Sequence, residues 1–411
     1  MKRAWRYCFL AVLTVVAAAA AAKDSCVECH SALEGALSAP AVGYANDIHG
    51  RFQFSCSDCH GGDRSADDPA VAMSRARGYI GNPGRAAIPR LCARCHADAA
   101  LMHKYNPQER VDQYALYLTS THGKRIAAGD TAAAVCTDCH GVHGIRGVKD
   151  GQSPVHPLRL PSTCARCHSD PKHMAKYQIP TDQLVEYQKS VHWEALQKRG
   201  DLSAPSCASC HGNHGATPPG VSSVAAVCGT CHVLLENLYN KSPHQAAFAA
   251  MNLGGCVVCH ANHAVLKPSD KMLAGTGSVC SQCHEATSPG GIAAVEMAGS
   301  IQKLEAAIAG SDAILSDAAR SGMEVSEALV RQNDATEALV KARVAVHAFR
   351  AAAVSEVVGE GLKTAAETYQ AGRQALLERN RRRIGLGVAL VTILIVIGGL
   401  WLAIRRLENP A

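Results

Sequence analysis

Cys92–Gly144 reads CARCHADAALMHKYNPQERVDQYALYLTSTHGKRIAAGDTAAAVCTDCHGVHG, and Cys164–Gly215 reads CARCHSDPKHMAKYQIPTDQLVEYQKSVHWEALQKRGDLSAPSCASCHGNHG. Both carry the same parts in the same order. A Cys-x-x-Cys-His opens each, followed by a short helical stretch with Lys-Tyr and a second one ending in Thr-His or Ser-x-His. A loop then leads to another Cys-x-x-Cys-His, and a further histidine stands three residues beyond that motif. A shortened copy runs from Cys228 through Ser242-Pro243-His244 to CVVCHANH at Cys256. A reduced one runs from Cys26 through Asp47-Ile48-His49 to CSDCHGGD at Cys56, and a motif at Cys280 ends the series. Repetition at this scale predicts two-motif units added in tandem. Gly81-Asn82-Pro83-Gly84 and Thr217-Pro218-Pro219-Gly220 between motifs favour turns over long regular elements.

Nine such motifs consume every cysteine but one of the 19. The thiol pairs are Cys26 and Cys29, Cys56 and Cys59, Cys92 and Cys95, Cys136 and Cys139, Cys164 and Cys167, Cys207 and Cys210, Cys228 and Cys231, Cys256 and Cys259, and Cys280 and Cys283. Their histidines are His30, His60, His96, His140, His168, His211, His232, His260 and His284. In c-type haem attachment the two thiols bond to the haem vinyl groups and the adjacent histidine becomes the proximal iron ligand. A lone Cys-x-x-Cys also serves zinc sites and thiol redox enzymes; nine copies with histidine fixed at the fifth position point to nine covalently attached haems c. The 259 residues from Cys26 to His284, in a chain that is only 4% aromatic, cannot build a conventional core around so many cofactors. The porphyrins are expected to form the core, with the chain as a loop-rich wrapping.

Lys2, Arg3 and Arg6 precede an apolar run ending in Ala20–Ala22. This is the layout of a secretory signal peptide over residues 1–22, and Cys8, the nineteenth cysteine, lies inside it. Ile384–Ile404 is uncharged over 21 residues, enough to span a bilayer as a helix. Arg405 and Arg406 follow it, and Trp401 stands where an interfacial aromatic belongs. Together they predict residues 23–290 as a haem domain in the bacterial periplasm, 384–404 as a single anchor in the cytoplasmic membrane, and 405–411 as a cytoplasmic tail. Arg379, Arg381, Arg382 and Arg383 on the outer side run against the positive-inside bias; export of the motifs decides the topology, and the basic cluster is expected at lipid headgroups. The formal charge of +6 falls to +3 without the leader's three cations. Two propionates on each of nine haems, set against ferric cores, bring the oxidised mature chain to about −6, so a basic nucleic-acid-binding surface is not implied. Residues 291–383, poor in proline and free of cysteine, show helical spacing at Ile301, Leu304, Ile308 and Leu315 and again at Val325, Leu329, Leu339, Val340 and Val344. They predict a bundle or stalk of three helices near 292–320, 323–348 and 353–404, the last entering the membrane. The fold class is thus mainly α with extensive loops.

Eleven further histidines exist, ten of them in the haem region, which points to bis-histidine iron and hence to electron transfer. One class, His49, His122, His192 and His244, precedes the second motif of a unit by 7 to 15 residues. Another, His143, His214 and His263, follows a proximal histidine by three, too close to serve the same iron, so it is expected to reach a neighbouring haem. Asp63 stands at that place in the first unit, which predicts a lost ligand there. His103, His156, His173 and His347 are candidates for the remaining irons; Met102, Met174, Met251 and Met272 suit packing better.

The chain resembles the bacterial multihaem cytochromes c with doubled Cys-x-x-Cys-His modules, the cytochrome c3-like superfamily. The paired motifs, the strings CHGVHG, CHGNHG and CHANH and the Ser-x-His signals over residues 26–284 carry the resemblance. It implies an electron carrier of anaerobic respiration, working between a membrane quinol-oxidising subunit and other periplasmic or outer-membrane cytochromes. The anchor departs from the quinol dehydrogenases the resemblance brings to mind, which are held by an N-terminal helix. The competing reading is a reductase of a nitrogen or sulfur oxyanion with one open haem. Such enzymes usually mark that haem with lysine in the motif, whereas all nine motifs here end in histidine. A haem sensor signalling across the membrane has little support, since only five residues follow Arg406.

Overall fold

The computed structural model describes residues 24–218 and 220–408; the signal-peptide stretch 1–22 with Cys8, and the last three residues of the tail, lie outside them. The described residues form helices, turns and loops, with no strand among them. The chain divides into two compact units, one of residues 1–184 and 196–219, the other of residues 185–195 and 220–411. This division does not follow the change of composition near residue 290: the last three motifs share a unit with the C-terminal bundle.

In the first unit the motifs sit on helices of five to nine residues: Ser25–Ser31, Cys56–His60, Ile88–His96, Cys136–His140, Leu160–His168 and Cys207–His211. Helical spacing places the two thiols and the histidine of Cys-x-x-Cys-His, at i, i+3 and i+4, on one face. Caps fix where these helices begin. The Asp24 side chain accepts the Cys26 N–H at 3.1 Å, Ser55 and Asp58 form a capping box, and the Asp138 carboxylate accepts the Val135 N–H at 2.7 Å. Where a second motif ends, Gly61, Gly141 and Gly212 take φ of 69°, 86° and 75°, a left-handed turn that glycine adopts without strain. Ala261 takes φ of 60° at the same place. Buried apolar side chains are few in this unit: Ala41, Ile126, Ala133, Val135, Met174 and Leu196. That is far less than a chain of its length buries when side chains alone form the core.

In the second unit Val224–Thr230 and Cys280–Gln282 are 3-10 turns and Cys256–His260 is a short helix. The bundle follows, its helices spanning Pro289–Arg320, Ser326–Ala345 and Ala351–Glu408. Met297, Ile301, Leu304, Ile308, Leu339, Val354 and Val358 make its core, joined by Leu273 from the haem-motif segment. Complete burial of side chains such as Ile301, Leu304 and Val354 stabilises the bundle by roughly 1.5–3 kcal/mol each. Buried Gln332 cross-links all three helices: its amide donates to the Ile308 carbonyl at 3.1 Å and to Asp312 Oδ1 at 2.9 Å, and its Oε1 accepts from Thr368 Oγ1 at 2.6 Å. Arg343 donates twice to Asp270, at 3.0 and 2.7 Å, and ties the bundle to the segment before the last motif. The third helix continues as one rod through Ile384–Ile404, whose apolar side chains stand exposed; by length and composition it can cross a membrane. At its end the Arg405 guanidinium lies 4.4 Å from the centre of the Trp401 ring.

Candidate functional site

The first class of extra histidines owes its position to helix caps. Ser120, Ser190, Ser242 and Asp47 are the N-caps of Thr121–Ala127, Val191–Trp193, Pro243–Ala250 and Ile48–Arg51. His122, His192, His244 and His49 are therefore the second residue of a new helix, not the end of an old one as the Ser-x-His pattern first suggests. Ser120 Oγ accepts the Gly123 N–H and Ser190 Oγ the Trp193 N–H, both at 3.0 Å. All four cap residues are buried. The buried cap points the short helix inward and its second residue with it.

Within the two units, seven pairs of histidine rings face one another among the described residues. His49 faces His96 with ring centres 5.9 Å apart, His60 faces His143 at 6.0 Å, His122 faces His168 at 6.2 Å and His140 faces His214 at 6.1 Å. In the second unit His192 faces His232 at 6.4 Å, His244 faces His284 at 5.9 Å and His260 faces His347 at 6.0 Å. Two imidazoles bound to opposite faces of one metal ion, each bond about 2 Å, have ring centres roughly 6 Å apart. Every pair joins a motif histidine to a non-motif one.

The register of these pairs is an exchange between successive two-motif repeats. His49, His122, His192 and His244 each face the first motif of the following repeat, and His143 and His214 face the second motif of the preceding one. Although Asp63 stands where the other repeats have their third-place histidine, the ring facing the His60 of that same repeat is His143. Asp63 instead accepts from Ser65 Oγ at 2.6 Å and pairs with Arg77. The bundle contributes too, through His347. His263 sits in the same local turn as His214: the Asn262 and Asn213 side chains accept the following N–H at 2.8 and 2.9 Å. The Val191 N–H donates to the Val265 carbonyl at 2.9 Å, as Ile48 donates to Ile145 at 2.7 Å beside His143. His211 and His263 are both engaged by other groups. His103 instead bonds the Glu109 carbonyl at 3.1 Å, His156 Nδ1 accepts the Leu158 N–H at 3.4 Å, and His173 lies 6.0 Å from the Tyr177 ring.

Several rings have one nitrogen tied down and the other left over, the state of a histidine oriented for a metal. His30 Nδ1 bonds the Leu37 carbonyl and His60 Nδ1 the Gly81 carbonyl, both at 2.8 Å. His347 Nδ1 bonds the Val344 carbonyl at 3.1 Å and His49 Nδ1 bonds Asp47 Oδ1 at 2.9 Å. Asp47 Oδ2 also accepts from Gly144 and Ile145 at 2.7 and 2.8 Å, so one carboxylate sets both His49 and the His143 loop. Burial alone would raise the Asp47 pKa; the bonds from His49, Ile145 and Gly144 outweigh it and bring the carboxyl down to about 2. Burial lowers His96, His122, His143, His168, His192, His214, His244 and His260, and it brings His140 to about 4 with help from His214 and His96. These rings are neutral at pH 7, the form that binds metal. His244 Nδ1 is buried with no hydrogen-bond partner, a cost of about 1–3 kcal/mol.

The described motif thiols form no disulfide, and each pair stands beside its own histidine, the donor set that c-type haem attachment uses. Within each compact unit successive motifs are neighbours: Cys92 and Cys136 lie within hydrogen-bonding reach, as do Cys164 and Cys207, and Cys228 and Cys256. Cys56 is close enough to feel Cys26, Cys59 to feel Cys92 and Cys95, Cys139 to feel Cys167, and Cys259 to feel Cys280 and Cys283. Arginine stitches hold the joints. Arg94 donates to the Asp58 and Cys59 carbonyls at 3.0 Å, and Arg166 donates to the Asp138 carbonyl. Sequence reading passed over these stitches, although Cys-Ala-Arg-Cys occurs twice.

Residues 48–169 match the model of the cytochrome c3 family. That stretch is similar to the cytochrome c3 family of multihaem cytochromes. The match opens one residue before His49 and closes one residue after His168. It thus frames four motifs and three complete facing pairs, and follows the exchange register rather than the two-motif repeat. Members of that family carry covalent c-type haem and transfer electrons. No curated protein and no solved structure shows a detectable match to the chain.

Proposed function

We propose that this protein is a nine-haem electron conduit, tethered by its C-terminal helix to the cytoplasmic membrane with its haems in the periplasm. The motif histidines would hold iron from one side, with His49, His122, His143, His192, His214, His244, His263 and His347 as distal ligands. The facing pairs are the observation that carries this reading: an iron held between two imidazoles keeps its geometry in both oxidation states, which suits fast electron exchange. The haems supply the redox chemistry. The polypeptide orients the imidazoles, keeps them neutral and lines up the attachment points in chain order, so that electrons pass between porphyrin edges. A membrane quinol-oxidising subunit is the proposed donor, and periplasmic or outer-membrane cytochromes of an anaerobic respiratory chain are the proposed acceptors. Co-purification from solubilised membranes tests the partners. A quinol-oxidising subunit should remain bound; a chain that purifies alone and takes no electrons from quinol in its own membranes would overturn that role.

A further inference from the structure

His30 stands apart from the ladder. Its Nδ1 is anchored on the Leu37 carbonyl with the same 2.8 Å bond that anchors His60 on Gly81, so it is prepared as a proximal ligand in the same way. His60 has His143 opposite; His30 has no histidine ring opposite it among the described residues. The other candidates are committed elsewhere: seven face other motifs, His263 is engaged by another group, and His103, His156 and His173 have the contacts described above. Residues 31–37, which follow His30, are exposed, with Leu33 and Leu37 presenting apolar side chains to solvent.

Building on the haem reading above, we propose that the iron held by His30 is an open site that binds a small exogenous ligand, a diatomic gas or a small oxyanion. Seven of the other motif histidines face a second histidine ring and His211 has a partner of its own, which leaves His30 as the place where chemistry at iron is possible. The probe is carbon monoxide, titrated into the dithionite-reduced full-length holoprotein in detergent, with haem counted on the same sample. The expected result is about one carbon monoxide per chain and a high-spin ferric signal from one haem before reduction. Nine low-spin haems with no carbon monoxide uptake would overturn the open site and leave the haem reading standing, whereas fewer than eight haems would count against both. Placement is tested by replacing Cys26→Ser and Cys29→Ser together: eight haems without carbon monoxide binding are expected, and eight haems with binding retained overturn the assignment to His30. Should that variant not accumulate, His30→Ala keeps both thioether bonds and removes the ligand opposite the gas. The iron–carbonyl vibration should shift, and an unchanged vibration would place the open iron elsewhere.

Discussion

Asp47 shows how much one buried carboxylate can organise. One oxygen caps the helix of His49 and holds its ring; the other gathers the Gly144 and Ile145 N–H groups behind His143. Asp47→Ala would strand four donors and should cost about 1–3 kcal/mol in stability. It should also loosen the irons at His96 and His60 together, read as two haems gaining high-spin character. A change at one haem only would mean that the two loops are held independently. A milder test is Ser120→Ala, which removes the cap of the His122 helix; a loss of roughly 0.5–2 kcal/mol is expected in denaturant unfolding of the holoprotein. Gly43 is constrained by contact, since a Cβ there would fall 2.7 Å from the His143 carbonyl oxygen. The sequence announced Asp-Ile-His as one more copy of Ser-x-His. It could not announce the second half of Asp47's role, because Gly144 and Ile145 are nearly a hundred residues away and a backbone N–H leaves no mark in a sequence.

Among the elements, the short capped helices trade histidines and the bundle joins the exchange. His122→Ala should therefore leave every haem attached but turn the iron at His168, in the following repeat, to high spin; low-spin spectra surviving His122→Ala, His192→Ala and His244→Ala alike would refute the class. The ring planes divide the pairs by motif. Pairs at first motifs are steeply inclined, at 80°, 59°, 40° and 82°, and pairs at second motifs nearly parallel, at 27°, 1° and 16°. Ligand-plane angle sets the anisotropy of low-spin ferric iron, so the oxidised protein should show rhombic and highly anisotropic electron paramagnetic resonance signals side by side. A single class of signal would contradict the alternation. Periodicity made the bundle helices legible, because apolar residues at helical spacing have one face to bury. His347 was not legible as the partner of His260: one histidine in the 3-10 turn Val346–Ala348, just past an amphipathic helix, looks the same in sequence whether it meets solvent or a metal.

At the scale of the whole chain, the spacing of the motifs declared haem attachment and the apolar C-terminal run declared the long exposed helix, since both signals are local. The order of the motifs in space was not readable, and neither was the exchange register, because each depends on contacts between different repeats. The spacing of the third-place histidines already sends them to a neighbouring haem, but only the fold shows His143 and His214 facing back to the second motif of the preceding repeat. The central claim is that these repeats hold nine covalently attached haems rather than zinc ions or disulfides. Intact-mass measurement of the purified holoprotein tests it most directly. The account predicts a mass increase of nine haems on the mature chain with all 18 motif thiols consumed, and a mass corresponding to seven haems or fewer would contradict it.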